Sequence, residues 1–153
     1  MFRTFIAFAL LLVVAASCKK DQVVDYGPID KKIILDYIKE KGLTNVDSTS
    51  TGLYYIIQKP GSDVHPDYNS IITVNYQGYL TDGTLFDASA TGSPLKSPLS
   101  YLVDGWQQGL PLIGVGGKIT LFCPSALGYG STAKSKIPAN SVILFNVELL
   151  KVE

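Results

Sequence analysis

Residues equipped for acid–base, nucleophilic or metal chemistry are scarce in this chain, and aromatic residues are plentiful. His65 is the single histidine, and Cys18 and Cys123 are the only cysteines. That is too few for a histidine-rich metal site or a disulfide framework, and no cofactor or metal is expected. Against them stand nine tyrosines, six phenylalanines and one tryptophan. So many rings in a small domain can build a core, an apolar groove or both. An aromatic groove acts by holding apolar groups away from water, which favours reactions whose transition state is less polar than the ground state. Thirteen basic residues balance thirteen acidic ones, so no net field attracts nucleic acid or an anionic surface.

The rings fall in ordered blocks. Val74-x-Tyr76-x-Gly78-x-Leu80-x-Asp82-Gly83-x-x-Phe86-Asp87-x-Ser89 is followed by Leu102-Val103-x-Gly105-Trp106-x-x-Gly109-Leu110. Then come Gly128-Tyr129-Gly130, Ile137-Pro138 and Phe145-x-Val147-Glu148-Leu149-Leu150. Taken singly, Tyr76, Phe86 or Trp106 would pass for a core aromatic, and Gly128-Tyr129-Gly130 for a simple loop. As a set, in this order and spacing over residues 52–153, they resemble the FKBP-type peptidyl-prolyl cis-trans isomerases.

The resemblance implies a proline-binding pocket with Trp106 as its floor and Tyr76, Phe86 and Phe145 as walls whose ring edges face the carbonyl before proline. It implies that the Val103 N–H and the Tyr129 hydroxyl hydrogen-bond the peptide, that Asp87 orients the polar rim, and that Leu102 and Ile137 complete the substrate-binding surface. Proline-containing polypeptides and macrolide inhibitors are the implied ligands. An aromatic wall of this kind suits amide rotation, which needs no nucleophile, metal or proton transfer. Two departures stand out. Ser97 or Leu99 aligns where a rim phenylalanine is common, and the Ser/Pro-rich stretch 88–98 implies a looser rim. Two other functions are weighed against catalysis. One is a non-catalytic module that docks proline-containing peptides; the other is a membrane-anchored scaffold that self-associates through its N-terminal helix.

The elements that must position these residues read as an α+β domain. Segments 53–59, 70–80, 117–123 and 141–152 are rich in β-branched and aromatic residues and end at Pro60-Gly61, Asp82-Gly83 or Pro124, as strands do. One short helix is expected around Trp106, over 105–111. The family fold adds the expectation of a five- to six-stranded antiparallel sheet wrapped across that helix. Ahead of the sheet, a helix is expected over 30–41, with Asp30 at its N-cap, Ile34, Tyr37 and Ile38 on one face, and Gly42 as its stop. Residues 45–52 read as a connector without apolar period. His65 is expected on a surface loop, and Cys123, inside an apolar run, as a buried inert thiol.

The N-terminus reads as an address. Arg3 precedes a twelve-residue apolar run, Phe5 to Ala16. As a helix this spans about 18 Å, short of a hydrocarbon core of roughly 30 Å, and fits a secretion signal instead. Small residues lead directly into Cys18 and resemble a bacterial lipobox, which implies a lipid on that cysteine. The expected layout is a signal over 1–17, a lipidated tether over 18–29 with Gly27-Pro28 as a breaker, a helix and connector over 30–51, and the isomerase domain over 52–153. A monomer is expected, exported and anchored to a bacterial membrane, the outer membrane being favoured by Lys19 after the cysteine.

Overall fold

The structure is a computed structural model that describes residues 24–153. The apolar run and Cys18, on which the export signal and lipid rest, lie outside the described residues. No helix among the described residues is long and apolar enough to cross a membrane.

Helix α1 spans Gly27–Glu40. Gly27-Pro28, expected to break the chain, opens the helix instead. Proline lacks an N–H that would have no intrahelical partner in the first turn, and its fixed φ already suits a helix. Asp30 is therefore inside the first turn rather than at the N-cap, which Tyr26 occupies without a side-chain capping bond. At the other end Gly42, at φ 61°, ends the helix as expected. The Leu43 N–H donates to the Ile38 carbonyl at 3.0 Å and the Gly42 N–H to that of Lys39 at 3.2 Å, the paired bonds of a left-handed stop.

Among the described residues seven strands form one sheet, every pair antiparallel. They are β1 (Asp47–Ser48), β2 (Tyr54–Lys59), β3 (Ile71–Leu80), β4 (Leu85–Ala88), β5 (Leu95–Pro98), β6 (Lys118–Cys123) and β7 (Ile143–Val152). Their order is β1-β2-β6-β7-β3-β4, with β5 also on β3. The four long strands stand where the sequence places them. The short ones are products of pairing: β1 lies against Tyr54 and Tyr55, while β4 and β5 share one edge of β3. β7 occupies the middle and is the one strand that joins β6 to β3.

Strand parity gives the sheet two working faces. On the inner face Ile72, Val74, Ile119, Leu121, Cys123, Ile143, Phe145, Val147 and Leu149 are all buried. Across it lies helix α2 (Asp104–Gly109). Two glycines let this helix approach: a β-carbon on Gly105 would overlap the Cys123 sulfur, and one on Gly109 would overlap Leu121. The outer face carries a second, smaller core, where Ile34 of α1 packs with Phe122, Val142 and Leu144, flanked by Tyr37, Ile38, Tyr54 and Tyr79. Tyr37 and Phe122 meet with ring centroids 6.1 Å apart. Cys123 is fully buried, and burial alone pushes its thiol up to about 12. His65 is exposed on a loop, its Nδ1 2.9 Å from the Pro111 carbonyl oxygen.

Asp30 has a specific partner. It is 1% exposed, and its Oδ2 accepts the Ser125 N–H at 2.8 Å and the Ser125 hydroxyl at 2.6 Å, across 95 residues of chain. Ser125 begins a short 3-10 turn, Ser125–Leu127, that leads to Tyr129. α1 is thus joined to the turn before Tyr129 by a charge-assisted pair of bonds.

Candidate aromatic pocket

A small hollow of about 70 Å³ opens between the inner face, α2 and the loops beside it, lined by Tyr76, Asp87, Leu95, Leu102, Val103, Trp106, Tyr129 and Phe145. They arrive from several elements. Tyr76 is on β3 and Phe145 on β7, both pointing inward by parity. Trp106 stands in α2 and is 3% exposed. Its indole lies 5.2 Å from the Tyr76 ring at 80° and 5.2 Å from the Phe145 ring at 87°. Phe86, on β4, meets Phe145 edge-on at 5.6 Å and 86°. Four rings therefore form a continuous edge-to-face chain, the arrangement that ring quadrupoles favour.

Gly78 allows this chain to close. It pairs with Phe145 on one side and Asp87 on the other, and a β-carbon there would sit 2.6 Å from the Phe86 ring and 3.0 Å from that of Phe145. Any larger residue would push the two rings apart.

The polar groups are arranged around the rings. Asp87 accepts the Tyr76 hydroxyl at 2.7 Å on one oxygen and the Ala88 N–H at 2.9 Å on the other. Burial, then the bond to Asp87, pushes the Tyr76 hydroxyl well above the ordinary phenol range. Tyr129 is raised too, by burial and then by the charge of Asp87, so both phenols are donors at neutral pH. Among the described residues the Tyr129 hydroxyl has no hydrogen-bond partner, and neither has the Val103 N–H. The backbone around Val103 is held by Gln107, whose side-chain amide donates to the Leu102 carbonyl at 2.7 Å. The Trp106 indole N–H is also buried without a partner.

Of the nine residues expected to bind or act on proline, seven line this hollow. Phe86 and Ile137 line an adjoining hollow with Asp87 and Tyr129, and Phe86 reaches the first through Phe145. Leu95 was not among the nine. It pairs with Val74 at the start of β5, and nothing in the Ser/Pro-rich stretch around it marks a strand. Leu99 is fully buried in the core and neither it nor Ser97 lines the hollow; Leu95 stands at this wall.

Known proteins resemble this chain in sequence and in fold. A family model described as FKBP-type peptidyl-prolyl cis-trans isomerase matches residues 62–150. The FKBP-type isomerase FkpA of Aeromonas hydrophila is 45% identical over 139 residues, covering 90% of this chain and 50% of that protein. FkpA of Escherichia coli strain K12 is 43% identical over 118 residues, covering 76% of this chain and 43% of that protein. The chain thus spans about half the length of the curated relatives it matches. Among solved structures, the crystal structure of Escherichia coli FkpA superposes with a TM-score of 0.74 at 38% identity, over 84% of this chain and 61% of that one. A peptidyl-prolyl isomerase from Pseudomonas syringae pv. tomato gives 0.71 at 27% identity, over 86% and 98%.

Proposed function

The chain belongs to the FKBP-type peptidyl-prolyl cis-trans isomerase family, and from that premise we propose that it catalyses rotation about X-Pro bonds in other polypeptides and so assists their folding. The observation that carries this reading is the edge-to-face chain of Tyr76, Trp106, Phe145 and Phe86, opening beside two unused donors, the Val103 N–H and the Tyr129 hydroxyl.

Resonance gives the amide C–N bond its double-bond character, and the rotation barrier is near 20 kcal/mol. Uncatalysed X-Pro bonds flip in tens to hundreds of seconds. Twisting the bond removes the resonance and with it the charge separation, so the twisted amide is less polar than the planar one. A pocket of rings that excludes water disfavours the planar ground state relative to the twisted transition state. Trp106 would support the pyrrolidine ring. Tyr76, Phe86 and Phe145 would surround the carbonyl before proline with ring edges, which carry partial positive charge. The Val103 N–H and Tyr129 hydroxyl would hold the flanking peptide so that only one bond turns. Asp87 would fix Tyr76, and Leu95, Leu102 and Ile137 would shape the wall. A millionfold acceleration corresponds to about 8 kcal/mol, within reach of desolvation, ring packing and two hydrogen bonds.

The proposal extends to residues 52–153 as the catalytic unit, to macrolides as inhibitors, and to a monomer. It also includes export with a lipid on Cys18 and placement at the outer membrane, supported by the N-terminal sequence alone. The deciding assay follows cis-to-trans conversion of X-Pro peptides by the purified protein. Acceleration that a macrolide abolishes supports the reading, while peptide binding without acceleration overturns it. Mass spectrometry of the native N-terminus tests the lipid.

A further inference from the structure

We propose that Lys134 and Lys136 form an acid-recognising subsite beside the pocket, so that X-Pro bonds in which X is aspartate or glutamate are favoured over those in which X is lysine or arginine. This rests on the isomerase reading of the pocket and specifies its substrate class.

A second hollow of about 300 Å³ adjoins the first and shares Asp87 and Tyr129 with it. Its remaining lining is Phe86, Ile137 and the turn Lys134-Ser135-Lys136. A peptide crossing the shared wall places neighbouring residues in the two hollows. If proline sits over Trp106 with its preceding carbonyl against Phe86, the shared wall of Asp87 and Tyr129 would direct the side chain before proline into the second hollow.

The lysines are carried on a defined backbone. The Lys134 N–H donates to the Ile137 carbonyl at 2.8 Å, and the Ile137 N–H returns a bond to the Lys134 carbonyl at 3.1 Å. Ile137, 5% exposed, anchors the turn in the core. The Lys134 ammonium stands 5.8 Å from the centre of the Tyr129 ring, which puts its charge at the shared wall. Neither lysine takes part in an ion pair among the described residues. Asp87 is the one acidic group lining the hollow, and both of its oxygens are already engaged by the Tyr76 hydroxyl and the Ala88 N–H. Two unpaired cations against one engaged anion leave the hollow positive, in a chain whose overall charge is balanced. A carboxylate is the complement of that field.

Both lysines are solvated, so each contributes modestly: an exposed ion pair corresponds to roughly a two- to fivefold preference. Together they are expected to favour Glu-Pro over Lys-Pro about five- to tenfold in kcat/KM at low ionic strength. Screening shortens from about 10 Å at 0.1 M salt to about 3 Å at 1 M, so the ratio should fall towards one as salt rises.

The test uses neutral-capped peptides that differ only in glutamate, leucine or lysine before proline. Rates are measured in low and high salt for the purified protein, for Lys134→Glu with Lys136→Glu, and for the arginine pair K134R with K136R. The same ratio is read independently from peptide titrations followed by Trp106 fluorescence. A glutamate preference that salt erases, the glutamate pair inverts and the arginine pair keeps supports the subsite. A ratio at or below one, or one that neither salt nor charge reversal moves, overturns it even if every peptide is turned over. If no peptide is accelerated, the isomerase reading fails, and the binding ratio still decides for or against the lysines.

Discussion

Replacing Asp30 with alanine should destabilise the domain by about 2–4 kcal/mol, although Asp30 lies on a helix outside the family-matched region. The residue is 1% exposed and Ser125 is 3% exposed, and two bonds of 2.8 and 2.6 Å join them. A hydrogen bond to a charged group contributes about 1.5–3 kcal/mol, so the pair represents about 3–6 kcal/mol. An opposing effect comes from Asp30 Oδ1, which is buried without a partner; removing the carboxylate relieves that desolvation. The bonds win, because alanine leaves the Ser125 N–H buried and unpaired. Asparagine keeps a carbonyl acceptor, so Asp30→Asn should lose about half as much. Urea unfolding followed by the sole tryptophan, Trp106, measures all of this. Asp30→Ala should lower Tm by about 10 °C, and its effect should fall short of additivity with Ser125→Ala by at least about 1 kcal/mol. Activity should respond as well. The Ser125 carbonyl accepts the N–H groups of Gly128 at 3.0 Å and Gly130 at 2.9 Å, bracketing Tyr129. At a temperature where Asp30→Ala is fully folded, kcat/KM should still be several-fold down. A loss under about 0.5 kcal/mol, or simple additivity with Ser125→Ala, would refute the coupling.

Four further outcomes are expected. Gly78→Ala should place a methyl 2.6 Å from the Phe86 ring and force it off Phe145; overpacking of this kind costs about 1–3 kcal/mol, and kcat/KM should drop about tenfold in the X-Pro assay. Tyr129→Phe removes a hydroxyl with no partner among the described residues, so stability by urea unfolding should stay within about 0.5 kcal/mol while kcat/KM falls about two- to tenfold, as for one lost hydrogen bond to substrate. Cys123 should be inert to thiol reagents at pH 8 in the native protein and react only on unfolding, since burial raises its thiol from 9.0 to about 12. In alkali, Tyr76, Tyr129 and Cys123 all have raised folded values. Their protonated forms are favoured by folding, so this stability is present below their unfolded values, near pH 9 to 10, and is lost as pH rises through the folded ones. Thermal melts from pH 8 to 12 should show that decline, and Tyr76→Phe should make it shallower.

What the sequence conveyed and what it hid follow one physical line. β2, β3, β6 and β7 were legible because each carries its own β-branched and aromatic residues between turn signals. The pocket rings were legible because five blocks held a recognisable order. β4, β5 and β1 were not, because Leu85–Ala88, Leu95–Pro98 and Asp47–Ser48 have no alternation of their own and become strands only by pairing with a neighbour. Leu95 was missed for the same reason. The start of α1 was misplaced because Gly-Pro reads equally as a breaker and as a helix opening. Asp30 looked like an ordinary cap because its partner lies 95 residues away, beyond any local pattern.

The position of β7 governs how the molecule is made. The strand that reaches the sheet last in synthesis is the one that joins its two halves: β1, β2 and β6 on one side, β3, β4 and β5 on the other. Until residues 143–152 join the sheet, β6 and β3 lack the strand they both pair with, and the two halves have nothing to hold them together. Completion of the sheet should therefore come late and depend on distant contacts, the slower regime for a domain of this size. An intermediate released without its last strand would expose the edges of both β6 and β3, so premature termination should yield an aggregating fragment rather than a smaller working domain.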